Sequence, residues 1–360
     1  MPALSGRRIF SAGNTTYTWE DVVLAGVLWY GWENLERSVR AGLACLKRLE
    51  EFEDEEEILS EEEVSGAAAE FRYARDLVTA EEMEAWLERW GLDAAGWMDY
   101  IRRMLLTKTW ADALEEVLRE HPVSREEIGE VIACDAICGG WLAACASGLA
   151  GRAAACDWLV EQAAGGPVEI AEDEMASAAG AFRAAIDGCG LPEILADVSR
   201  ERLDAMARLE IAWRRFATRV VTPQALHGQI ASHRLEWTRF TVQALSFHDP
   251  ETAREAILCL REDGRDPAEV AVEAGAELQE GDWVLEEADA ALHDHLMGAQ
   301  VGEVLGPLRV NDRFLVVAVL AKRSASPDDP AMRARAEQTL LSRAIGREVE
   351  NRVQWNEPLP

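Results

Sequence analysis

Residues Val301–Arg323 read VGEVLGPLRVNDRFLVVAVLAKR. Two apolar runs, Glu303–Val310 and Arg313–Leu320, flank Asn311-Asp312, a polar pair of the kind that turns one antiparallel strand into the next. The stretch predicts a β-hairpin closed by Lys322 and Arg323. An isolated hairpin is marginal in water, so partner strands must come from elsewhere in the chain.

They come from just upstream. Trp237–Phe247, WTRFTVQALSF, is β-branched and aromatic and predicts a strand. Asp249-Pro250 and Asp266-Pro267 then place a cap residue before proline at a first helical position, opening two short helices. The strand-like GDWV of Gly281–Val284 leads to a helix over Glu287–Met297, and the hairpin follows. The order is strand, helix, helix, strand, helix, hairpin. After Pro327 an amphipathic helix over Ala331–Val353 finishes the chain, with Leu340, Leu341, Ile345, Val349 and Val353 as its apolar stripe.

Everything before Glu236 predicts helix. Thr18-x-x-Asp21 resembles a capping box; Ser60-x-x-Glu63, Thr79-x-x-Glu82 and Ser124-x-x-Glu127 match one directly. Thr222-Pro223 is another helix start. Leu35, Val39, Leu46 and Leu49 recur at helical spacing, and the acidic run Glu50–Glu63 reads as a solvated connection ending at a helix N-terminus. An internal repeat shows as well. EVSGAAAEFRYA (Glu63–Ala74) aligns with EMASAAGAFRAA (Glu174–Ala185), and at about the same offset YIRR (Tyr100–Arg103) meets AWRR (Ala212–Arg215). A duplicated helical module is expected, with units near 18–120 and 124–235.

Composition narrows the function classes. The 360 residues carry a formal net charge of -30, which repels phosphate backbones and anionic lipid, so nucleic acid and membrane are not expected partners. Two arginines near the N-terminus have no apolar run behind them, so no secretory signal is expected. Val131–Gly151 has the length of a membrane span, but Ala, Gly, Cys and Ser dominate it and Asp135 interrupts it; a buried helix or helix pair is expected. Seven cysteines without a C-x-x-C pair fit a reducing cytoplasm. Cys134, Cys138 and Cys145 share a helix face in a spacing that fits no familiar metal site. No phosphate loop, catalytic triad or H-E-x-x-H occurs, so neither metal nor cofactor is expected. Of thirteen tryptophans, Trp86, Trp90 and Trp97 fall on one helical face, as core filling or as an aromatic groove for peptide.

The strand–helix order of Trp237–Arg323, with VGEVLGPLR at its spacing from GDW, resembles the parvulin family of peptidyl-prolyl isomerases over about a quarter of the chain. The flanking helical module and final helix are similar to SurA-like and trigger-type chaperone foldases. The resemblance implies a groove with a hydrophobic proline pocket beside a polar cluster of two histidines and a Cys or Asp. On this sequence the two histidine positions fall at Ala244 and Leu315, and the proline-pocket positions at Ala288 and Leu292. After the second helix there are Glu273 and Glu277 but neither Cys nor Asp, and the nearest histidine is His248 on the following loop.

The expected fold is therefore mainly α with an α+β parvulin-like domain: a helical module over 1–235, possessing the duplicated units, a parvulin-like domain over 236–325, and a C-terminal helix over 326–360 that joins the helical module. The expected function is a cytoplasmic peptide-binding chaperone or peptide-maturation factor with a degenerate parvulin domain and no catalytic residue. The alternatives are an active peptidyl-prolyl isomerase and a structural adaptor docking a partner enzyme. Candidate peptide-binding residues are Gln243, Ala288, Leu292, Phe314 and Leu315 in the groove, with Trp86, Trp90 and Trp97 on the helical module. The expected partner is an unfolded or precursor peptide, and with it a peptide-modifying enzyme.

Overall fold

The structure is a computed structural model and describes residues 6–163, 169–188, 198–356 and 358–359. Cys189, one of the seven cysteines, lies outside the described residues. The chain forms two compact units, Met1–Phe216 with Ile345–Pro360, and Ala217–Ala344. The fold is mainly α with an α+β part, as expected.

In the first unit, β1 (Arg8–Ala12) and β2 (Thr15–Thr18) form a hairpin about Gly13, whose positive φ of 53° suits a tight turn. β7 (Val353–Trp355) adds to the other edge of β1, pairing Phe10 with Trp355, so the sheet order is β2-β1-β7. Nothing in the sequence reading anticipated this sheet. Its helices are α1 (Trp19–Trp29), α2 (Trp32–Leu49), α3 (Glu61–Tyr73), α4 (Ala80–Trp90), α5 (Ala94–Thr109), α6 (Leu114–Glu120), α7 (Arg125–Cys138), α8 (Trp141–Gln162), α9 (Glu172–Gly188) and most of α10 (Arg200–Val220). Ser60, Thr79 and Ser124 cap α3, α4 and α7 as full capping boxes. Val131–Gly151 forms a bent pair, α7 and α8 meeting at 65°, and no single described helix is long and apolar enough to cross a membrane. Small residues let this pair sit in the core: Ala146, Ala150 and Ala154 are fully buried.

The second unit holds α11 (Pro223–Ser232), β3 (Arg239–Phe247), α12 (Pro250–Arg261), α13 (Pro267–Ala274), β4 (Glu277–Val284), α14 (Ala290–Gly298), β5 (Val304–Val310) and β6 (Arg313–Arg323). The strands make one antiparallel sheet in the order β4-β3-β6-β5. Alternation along β3 splits it between two cores. Phe240, Val242 and Ala244 face Leu292 and Leu296 of α14 together with Val317 and Val319. Leu245 and Phe247 face Ala253, Ile257 and Leu260 of α12, with Val270 of α13.

α15 (Pro330–Arg352) differs from the expectation of a helix wholly within the helical module. Met332 and Ala336 pack with Ile230 and Trp237 inside the second unit, because the first half of the helix carries its own small apolar stripe. Only the stretch from Ile345 onward belongs to the first unit, where Arg352 pairs with Glu348 at 2.8 Å. The unit boundary near residue 217 likewise falls earlier than the expected 235 and lies within α10.

Candidate peptide-binding site

A cavity of about 320 Å³ opens on the α14 side of the four-stranded sheet, lined by Asp282, Trp283, Val284, Glu287, Ala288, Asp289, Leu292 and Leu315. The sequence explains its parts. Asp289 caps α14 by accepting the Ala291 N–H at 2.8 Å, which turns Leu292 inward, where it is buried. Trp283 is paired with Phe240 across the β4–β3 ladder and packs on the same core. Leu315 leans onto this face from β6. The floor is apolar and the rim acidic. The acid comes from Glu287, which pairs with Arg335 at 2.5 Å, and from the capping Asp289, while the Asp282 side chain turns to the opposite face, where it accepts the Thr241 hydroxyl at 2.6 Å and its other oxygen lies 3.8 Å from Arg239.

The structure brings Ala288, Leu292 and Leu315 together in this cavity. It does not bring Gln243 and Phe314 there. Gln243 sits between Val242 and Ala244, which face α14, so the pleat turns it to the opposite face, where it donates to Glu280. Phe314 precedes Leu315 and for the same reason packs with the α12 core. Both are corrected: they line no groove with Leu292. Trp86, Trp90 and Trp97 are corrected too. Their exposures are 6%, 2% and 8%, and Phe71 meets Trp86 and Trp97 with ring centroids 5.6 Å apart. They fill the core of the first unit and present no open aromatic face.

Ala244 and Leu315, at the positions the parvulin resemblance gives to histidines, share the α14 face, and neither side chain offers a hydrogen-bonding atom. Glu273 is exposed and bound to Arg265 at 2.6 Å, which holds its carboxyl below the usual range. Glu277 opens β4 opposite Ser246, and His248 is exposed beyond the end of β3. In the first unit Cys134 Sγ lies 3.8 Å from Cys138 Sγ, and that contact, together with burial, pushes the Cys138 thiol far up. No group of three His, Cys, Asp or Glu placed to hold a metal occurs among the described residues. Missed by the sequence reading were Trp283 and Asp289, although Asp289 before an Ala-Ala-Leu run is an ordinary cap signal.

No protein-family model matches the chain, and no curated protein sequence matches it. Among solved structures it is similar to the peptidylprolyl isomerase PrsA of Bacillus cereus, with 14% identity, a TM-score of 0.35, and coverage of 65% of this chain and 88% of that one. PrsA of Bacillus subtilis is similar at 12% identity and a TM-score of 0.22, over 62% and 86% of the two chains. A chain from the work describing PEB4 and Cj1289 of Campylobacter jejuni as two structurally related SurA-like chaperones gives 10% identity and a TM-score of 0.18, over 68% of this chain and 93% of that one. Similarities this distant define no function.

Proposed function

We propose that the protein is a peptide-binding chaperone whose parvulin-like unit holds a client without catalysing isomerisation. The observation that carries this reading is the cavity over Trp283, Ala288, Leu292 and Leu315: an apolar floor, an acidic rim, and alanine and leucine where a catalytic cluster would need polar atoms. Apolar floors with few polar groups at the edge are what small peptide anchors use. Lowering an amide-rotation barrier of about 18–20 kcal/mol asks for more than a hydrophobic wall. A client would carry apolar anchors and positive charge, because Glu287, Asp289 and a chain charge of -30 all favour a basic partner. The six described cysteines are free thiols, which suits the cytoplasmic location proposed here, and a precursor peptide handed on to a modifying enzyme is the client that fits best.

Calorimetry on the full chain with a short leucine- and proline-containing peptide flanked by lysines tests this. Binding in the micromolar range, about −8 kcal/mol, is expected. Ala288→Trp, which puts an indole on the cavity wall, should abolish it, whereas Val272→Asp, 83% exposed and outside the cavity, should not. Binding unaffected by Ala288→Trp would remove the cavity from the account.

A further inference from the structure

The cavity ends at the outer strand of its sheet. β4 is the edge strand beyond β3, and its outer side has no strand partner among the described residues. The phase of its hydrogen bonds can be read from the ladder. Leu285 N–H donates to Thr238 O at 3.0 Å, and the same antiparallel register runs down to Glu277 opposite Ser246. In such a ladder, alternate residues turn both backbone groups inward and the others turn both outward. Trp283, Gly281 and Gln279 therefore point their N–H and C=O groups at β3. Asp282, Glu280 and Leu278 point theirs outward.

Side chains follow the same alternation. Trp283 belongs to the α14 face and Leu278 to the opposite one. Glu280 and Asp282 lie on Leu278's face, each exposed and each bonded to its cross-strand partner, Gln243 and Thr241. On the α14 face, Gly281 leaves open space beside Trp283: a Cβ there would meet nothing within 4 Å. The free edge thus offers apolar space on one face and two carboxylates on the other. A second copy of β4 would set carboxylate against carboxylate, so the charges that invite a basic strand also reject self-pairing.

We propose that β4 receives an extended client segment as a fifth, antiparallel strand, and that the segment alternates apolar with Lys or Arg side chains. Apolar residues fall beside Trp283 and over Gly281; basic residues fall opposite Glu280 and Asp282. Strand addition takes its affinity from main-chain hydrogen bonds and its specificity from alternate side chains. This rests on the peptide-binding reading and gives that site its sequence rule.

The test uses the full chain and an acetylated, amidated heptapeptide, Leu-Lys-Leu-Lys-Leu-Lys-Leu, at physiological salt. It should bind at least tenfold more tightly than the Leu/Glu counterpart and than a peptide of the same composition with its lysines in one block. The double variant Glu280→Lys with Asp282→Lys, both exposed, should invert the preference between the Lys and Glu peptides. N-methylating one amide at a time separates the geometry. Loss of tenfold or more confined to the lysine amides supports antiparallel addition, since those residues bond to Glu280 and Asp282. Equal losses at lysine and leucine amides, or losses confined to leucines, overturn the antiparallel strand while leaving cavity binding intact. Peptide binding absent altogether overturns the peptide-binding reading as well.

Discussion

Trp32 and Trp141 meet edge to face with ring centroids 5.5 Å apart, and each stands directly after a left-handed glycine that starts its helix. Gly31 has φ 65° and Gly140 has φ 74°. Each glycine breaks a helix pair, α1 from α2 and α7 from α8, and the pairs interlock, α1 against α8 and α2 against α7. The Gly-Trp dipeptides recur at nearly the offset that separates the two Phe-Arg helices, α3 and α9.

Gly140→Ala isolates the backbone part of that arrangement, because an added Cβ at Gly140 would touch nothing within 4 Å. The left-handed region alone should cost about 1–2 kcal/mol. A denaturant midpoint lowered accordingly, at unchanged slope, is the expected result.

The neighbouring glycines act through space instead. A Cβ on Gly26 of α1 would overlap the Trp141 ring, and one on Gly148 of α8 would overlap the Tyr30 hydroxyl. Each helix thus admits an aromatic residue of the other pair at a position without a side chain. Gly26→Ala and Gly148→Ala should each destabilise by at least about 1–3 kcal/mol, the cost of overpacking a filled core. Thermal denaturation followed by circular dichroism checks both, with Gly66→Ala, within α3 and in open space, as the control, expected to stabilise by about 0.5–1 kcal/mol.

How much of this was legible in the sequence varies by the range of the interaction involved. The caps at Ser60, Thr79, Ser124, Thr222, Asp249 and Asp266 are local signals, and all six bond as read. The strand–helix order of the second unit was also plain, since its strands follow one another closely. The β2-β1-β7 sheet was not, because β7 is three residues long and reaches β1 across nearly the whole chain; the Gly13-Asn14 turn could have revealed only the hairpin. The site was half legible. Ala288, Leu292 and Leu315 could be placed, but Gln243 beside Ala244 and Phe314 beside Leu315 are adjacent strand residues, and period-two alternation forbids both members of such a pair from facing one groove. Trp86, Trp90 and Trp97 show the opposite limit: an apolar helical stripe does not say whether core or client covers it.

Arg103 and Asp135 form an ion pair inside the first unit, 3% and 9% exposed, with desolvation raising the carboxyl despite the guanidinium. Removing one partner strands the other charge. Asp135→Ala should cost about 3–5 kcal/mol, whereas Arg103→Met combined with Asp135→Leu should recover most of it. Equal stability of Asp135→Ala and the double variant, by urea titration, would show that the charge is not what the core resists.

Glu127 gives the clearest pH signature. It accepts from Lys47, 2.7 Å away, and from the Ser124 N–H at 2.8 Å, and these bonds hold its carboxyl down at about 2 against an ordinary 4.5. A depressed carboxyl stabilises the fold fully above the unfolded value and loses that stabilisation as pH falls through the folded one. The melting temperature of the wild type should exceed that of Glu127→Gln at neutral pH, and the gap should close between about 4.5 and about 2. A gap that widens on acidification would reverse the assignment.

The last expectation concerns isomerisation. Parvulin-type catalysis, by the resemblance, works through polar side chains facing the twisting amide, and here Ala244 and Leu315 occupy those positions on the α14 face. Glu277 opens β4 opposite Ser246, which pairs in turn with Leu315, so it shares Leu315's row two strands away; it is exposed and does not line the cavity, whose β4 residues are Asp282, Trp283 and Val284. A wall of Ala288, Leu292 and Leu315 can hold a proline ring, yet it offers the amide no donor or acceptor. Uncatalysed relaxation of a prolyl tetrapeptide takes about 10–100 s at 25 °C. Micromolar protein should leave that rate unchanged within error, and the same peptide should still compete with client-like peptide for binding. Acceleration that is lost in Glu277→Ala would falsify the non-catalytic reading and make that carboxylate the group to pursue.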